Sequence, residues 1–101
     1  MAIRWAARAR SDVRELRAYI AQDSPYYARQ FVARILKTIA KLIEHPKIGR
    51  PVPEAKRDDV RELIVQDYRI IYVIQPDTTY IVTVVHGARD LTRMQPAPWE
   101  G

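Results

Sequence analysis

The chain has 101 residues, 48% of them hydrophobic and 29% charged, which is the size and make-up of one compact domain with no room for a second. It contains no cysteine, which excludes disulfide scaffolds, thiolate-ligated zinc and thiol catalysis, and no apolar run approaches the roughly 20 residues that cross a bilayer. Seventeen Lys and Arg against twelve Asp and Glu leave a net charge of +5, with thirteen arginines among the cations, which suits an anionic partner; with no spanning run, no membrane partner is expected.

In chain order, Ile3-Arg4-Trp5 combines β-branched and aromatic residues and predicts a brief first strand. The same opening lacks the basic-then-apolar layout of a signal peptide, so the expected location is cytoplasmic. From about Ala7 to Gln22, Ala9, Val13, Leu16 and Ile20 recur every three or four residues and predict a helix, with Arg10, Arg14 and Arg17 on another side. Ser24-Pro25 supplies an N-cap side chain and a first-turn proline, and starts a second helix. Its stripe Phe31, Ile35, Ile39 and Leu42 runs on until Pro46 forbids propagation. The tight Asp23-Ser24 corner makes the two a helical hairpin.

After the loop Pro46 to Pro53 the pattern changes to β-branched and aromatic runs. Val60–Val65, Tyr68–Ile74 and Thr79–Val85 predict three strands joined by short turns, an antiparallel meander. A helical hairpin returns the chain near the point where it left the first strand, which predicts an all-antiparallel sheet with both helices on one face. The class is α+β, in the order β-α-α-β-β-β. In the middle strand Tyr68, Ile70, Tyr72 and Ile74 share one face and Arg69, Ile71 and Val73 the other. With the helices on the first, the second is expected to be a partly hydrophobic surface carrying an arginine, which marks a partner site or groove. Residues 1–93 form the domain. Residues 94–101, with two prolines and no periodicity, predict an extended tail whose Trp99 docks on the body or on a partner.

The two histidines, His45 and His86, lie in different elements with no ligand pair at metal spacing, and no glycine-rich phosphate loop exists, so neither metal nor cofactor is expected. Cleavage of RNA would need a base for the 2′-hydroxyl, an acid for the departing 5′-oxygen and cations for the phosphate. Arg61, Arg69, Arg89, Lys56 and His86 supply candidate parts, although no motif fixes their mutual distances. The alternative is that His86 packs at a strand end while Arg89 pairs with Asp90 or Asp67. Arg34, Lys37 and Lys41 read as a solvated helix face, and Tyr26-Tyr27 as helix packing.

The order and the residues together resemble the RelE/ParE superfamily of toxins from type II toxin-antitoxin systems. The resemblance rests on Ala9, Asp12-Val13, Leu16 and Tyr19-Ile20, on Ser24-Pro25, and on the loop Pro46-Lys47-Ile48-Gly49-Arg50-Pro51-Val52. It rests equally on Val60-Arg61-Glu62-Leu63, Tyr68-Arg69-Ile70-Ile71-Tyr72 and His86-Gly87-Ala88-Arg89-Asp90. The family's usual Ser or Thr and Pro after the first tryptophan are replaced by Ala6-Ala7, which removes an N-cap.

The resemblance implies a toxin neutralised by a cognate antitoxin in a hetero-oligomer. RelE-like members cut messenger RNA on the ribosome, and for that activity Arg69, His86 and Arg89 would be the catalytic residues. ParE-like members poison DNA gyrase. The short His86–Asp90 ending and the Gly49–Val52 loop are more similar to ParE-like members and to plasmid stabilization proteins, so the resemblance implies a gyrase inhibitor, with the ribosome-dependent endonuclease as the alternative. Arg61, Arg69, Ile71, His86, Arg89 and Trp99 are then the expected antitoxin- or target-binding residues.

Overall fold

The computed structural model describes residues 1–100. Strand β1 (Ala2–Trp5) leads into helices α1 (Ala7–Ala21) and α2 (Pro25–Ala40), the second ending in a 3-10 turn at Lys41–Ile43. Strands β2 (Arg50–Pro51), β3 (Val60–Val65), β4 (Tyr68–Ile74) and β5 (Thr78–His86) follow, and a further 3-10 turn covers Leu91–Arg93. The start of α2 is the one read from the sequence: Ser24 Oγ accepts from Tyr27 N at 3.1 Å, with Pro25 in the first turn. Ala6, before α1, makes no side-chain cap.

The five strands form one sheet in the order β1-β5-β4-β3-β2. The meander β3-β4-β5 is antiparallel as predicted, but β1 pairs with β5 in parallel, Ala2 opposite Thr78 and Trp5 opposite Ile81. The all-antiparallel sheet is therefore corrected. The reason is one reversal that the sequence hid. Two-residue β2 lies antiparallel to β3, inside what reads as a proline-rich loop. The helical hairpin does return the chain opposite to β1, as geometry demands. It returns into β2, and the extra turn over residues 52–59 reverses direction again before β3.

The two faces of the sheet differ in what covers them. On one, Ile70, Tyr72, Ile81 and Val84 pack against Ala9 of α1 and Phe31, Ile35 and Ile39 of α2, all buried, in line with the helical stripes. A register shift between β4 and β5 at Ile71/Tyr72 is held from α1: Asp12 Oδ2 accepts from Thr83 Oγ1 and from Val84 N. On the other face Val60, Ile71, Val73, Val82 and Val85 form a second apolar cluster with Val52, Leu91 and Met94, and Trp99 packs against it. The expectation of an open second face is corrected. Segment 50–59 and the segment from Leu91 to Trp99 cover it, removing apolar surface that a bare sheet would leave in water.

Gly49 marks where the first of these segments crosses the sheet edge. A Cβ there would sit 2.4 Å from the Glu62 carbonyl oxygen and 2.6 Å from Tyr72 Oη, so only glycine passes. Its N–H donates to Tyr72 Oη at 3.0 Å, and that hydroxyl donates to the Pro46 carbonyl at 2.7 Å. Burial pushes the pKa of the Tyr72 hydroxyl up, so it remains a neutral clamp on the chain entering β2.

Candidate functional site

Alternation along β3 and β4 places Val60, Glu62 and Ile64 on the same face as Arg69, Ile71 and Val73. Glu62 and Arg69 are diagonal neighbours across the strand pair, within reach of long side chains. Both are buried. Arg69 Nε donates to Glu62 Oε1, while Nη1 and Nη2 donate to the two carboxylate oxygens of Glu54 at 2.9 and 2.8 Å. Nη1 also reaches the Arg89 carbonyl at 3.2 Å, and Arg50 Nε donates to the second oxygen of Glu62. Glu54 in turn accepts from Leu91 N at 3.2 Å. One guanidinium thus joins β4, β3, the 50–59 segment and the turn after β5.

The electrostatics follow from that packing. Hydrogen bonding from Arg69 holds the Glu54 carboxyl down to about 2 against the opposing effect of burial, and the same pairing pushes Arg69 further above its ordinary value. With the Arg69 side chain only 7% exposed, its charge is answered from within the chain.

The other expected residues separate into two groups. Arg61 is partly buried and holds the entry to the sheet: it donates to the Lys47 and Gly49 carbonyls and to both the carbonyl and the carboxylate of Asp58. Ile71 lies wholly buried in the second apolar cluster, and Trp99 is half-buried against it. His86 and Arg89, by contrast, are exposed and share a cleft of about 380 Å³ at the end of β5 with Asp12, Glu15 and Tyr19 of α1 and with Tyr68. His86 Nδ1 accepts from Ala88 N at 3.1 Å, which leaves Nε2 as the free polar atom of the ring. The ring stands edge-on to Tyr68, with centroids 5.7 Å apart. Among the described residues Arg89 pairs with neither Asp90 nor Asp67; Asp90 instead pairs with Arg93 and caps Thr92. The cleft therefore offers a cation, an imidazole and the Glu15 carboxylate, chemistry suited to binding a charged partner or moving a proton.

Sequence reasoning missed Glu54, Glu62, Glu15 and Tyr19. The inward position of Glu62 was present in the alternation of Val60-Arg61-Glu62-Leu63, which sets it on the face of Val60. Glu54 lies in an irregular segment and Glu15 faces β5 only through helix packing, so neither carried a local signal.

The structure is thus a small α+β domain with a helical hairpin on one sheet face and a charged cleft at the strand ends. Residues 3–91 match the family model described as the ParE toxin of the type II toxin-antitoxin system, and the chain belongs to that family. It is 41% identical over 87 residues to the putative toxin Y4kP of Sinorhizobium fredii, covering 84% of this chain and 86% of that one. Toxin RelE2 of Caulobacter vibrioides is 33% identical over 85 residues, covering 84% of this chain and 93% of that one. Among solved structures, a chain of the chromosomal ParDE system from P. aeruginosa has the same fold, with a TM-score of 0.70 at 18% identity over 85% of this chain and 95% of that one. A chain of the RelBE2 complex from Mycobacterium tuberculosis follows with a TM-score of 0.57 at 22% identity, covering 84% and 95%. The protein is a type II toxin of the ParE/RelE class. No helix among the described residues is long and apolar enough to cross a membrane.

Proposed function

We propose that this toxin acts in the cytoplasm by poisoning DNA gyrase and is neutralised by a cognate antitoxin in a hetero-oligomeric complex. The observation that carries this reading is the internal neutralisation of Arg69. A ribonuclease needs a cation at the phosphate beside its acid and base, and here the middle-strand arginine is committed to Glu54 and Glu62 on a covered face. His86 and Arg89 stay exposed without it, which suits recognition of a protein target. The antitoxin reading draws on the family and on the names of the structural neighbours, which are toxin-antitoxin systems. The +5 charge supports an antitoxin segment rich in carboxylates.

Ribosome-dependent messenger cleavage is the second reading. The juxtaposition of His86, Arg89 and Glu15 in one cleft favours it, as does the relative named RelE2. A supercoiling assay with purified gyrase, ATP and relaxed plasmid, run beside cell-free translation, separates the two. Loss of supercoiling with normal translation is expected, abolished by His86→Ala or Arg89→Ala at unchanged stability. Arrested translation with cut messenger and active gyrase would overturn the proposal.

A further inference from the structure

Four of the six tyrosines gather at one end of the molecule, where α1 ends, α2 begins and the β3–β4 turn lies beneath them. Tyr26 and Tyr27 are 60% and 68% exposed, contrary to the packing expected of the pair. The reason is phase: the buried stripe of α2 starts at Ala28 and Phe31, and positions 26 and 27 fall off it. Their rings stand edge to face at 6.1 Å over a cleft of about 580 Å³, which Gln30, Arg34, Gln66 and Tyr68 also line. Phe31 forms the buried floor, 5.2 Å from Tyr68 between centroids. Tyr68 is also a wall of the His86–Arg89 cleft, so an aromatic series Phe31, Tyr68, His86 joins the two.

The lining has a specific chemistry. It offers exposed flat rings, two primary amides, one arginine and, among the described residues, no carboxylate. Arg34 forms no ion pair within the chain among the described residues; its backbone carbonyl accepts from Thr38. Half-buried Ile20 is the one aliphatic side chain of the lining, and exposed rings with a cation, amides and no opposing carboxylate are what an unstacked nucleobase and its phosphate require. Arg89, beyond Tyr68, supplies a second cation along the same path.

We propose that this tyrosine cleft binds an unpaired DNA strand, stacking a base on Tyr27 and Tyr26 and contacting a phosphate through Arg34. The choice of DNA over RNA rests on the gyrase reading; the stacking site itself does not. The test is fluorescence anisotropy of the full chain with a labelled eight-nucleotide deoxy-oligomer, its duplex and its ribo-counterpart, across a salt series. The single deoxy strand is expected to bind more tightly than the duplex. Tyr27→Ala should weaken it about tenfold or more while Tyr27→Phe stays within about twofold, because stacking needs the ring and not the hydroxyl. Arg34→Gln should reduce the salt slope by about 0.7, the value of one phosphate on a single strand. Equal affinity for the duplex, or no effect of Tyr27→Ala, overturns the site, and tighter binding of the ribo-oligomer overturns the DNA assignment. If Tyr27→Ala abolishes gyrase inhibition while no oligomer binds, the cleft is a protein contact and the inference fails with the proposed function intact. Oligomer binding with gyrase unaffected refutes the gyrase reading and leaves the stacking site standing.

Discussion

Replacing Glu54 by glutamine removes one charge from the buried cluster and leaves the volume nearly unchanged. In the folded chain the carboxyl sits at about 2, held there chiefly by the Arg69 hydrogen bonds, against 4.5 for an ordinary glutamate. A difference of about 2.5 pH units is worth about 3 kcal/mol of folding free energy at neutral pH, and with the side chain only 17% exposed little of it is lost to solvent screening. Because Glu62 still answers Arg69 in the variant, a loss of about 2–3 kcal/mol is expected. The sign with pH is set by linkage. A depressed carboxyl contributes fully above about pH 4.5 and loses its contribution as pH falls toward about 2, so the gap between wild type and Glu54→Gln should shrink by about 2 kcal/mol between about pH 7 and pH 3. Urea unfolding followed by tryptophan fluorescence at both pH values measures it, since Trp99 lies on the segment that Glu54 helps to hold through Leu91. A gap below about 0.5 kcal/mol at neutral pH, or one that does not change with acid, would refute the argument that the pair is formed and buried.

Three other substitutions test the frame around the site. Gly49→Ala forces a methyl against the Glu62 carbonyl and Tyr72 Oη and should lower stability by about 2 kcal/mol or more in the same unfolding assay. Asp12→Ala leaves Val84 N–H and the Thr83 hydroxyl without their acceptor, and a loss of about 2–3 kcal/mol is expected, with faster hydrogen exchange at Val84. Ser24→Ala removes the cap of α2 and should lower stability by about 1 kcal/mol, read as a fall in the thermal midpoint.

Whether an arginine in a motif is open to a partner depends on its pairing within the chain. Arg69 occupies the middle strand in the register expected from the sequence, so a motif alone would have counted it as available. Its availability depends on Glu54, 15 residues earlier in a segment with no periodic signal. The same applies to Ile71, whose apolar character was plain but whose face is covered by Val52, Leu91 and Met94.

What the sequence by itself determined is local. Ser24-Pro25 started α2 because a cap and a first-turn proline act within one turn, and the stripes of α1 and α2 chose their buried faces through the 3.6-residue period. The boundaries of β3 and β4 followed from short-range alternation and the turn at Gln66-Asp67, and the family resemblance rested on the same segments. Tertiary structure alone decided the direction of β1, because two-residue β2 carries no pattern of its own and one extra reversal changes the parity of the whole sheet. It alone decided which arginines face solvent, since Arg61, Arg69 and Arg89 are alike in sequence and differ only in the carbonyls and carboxylates that distant segments bring to them. Charge and periodicity are properties of neighbours along the chain, whereas burial and pairing are properties of neighbours in space.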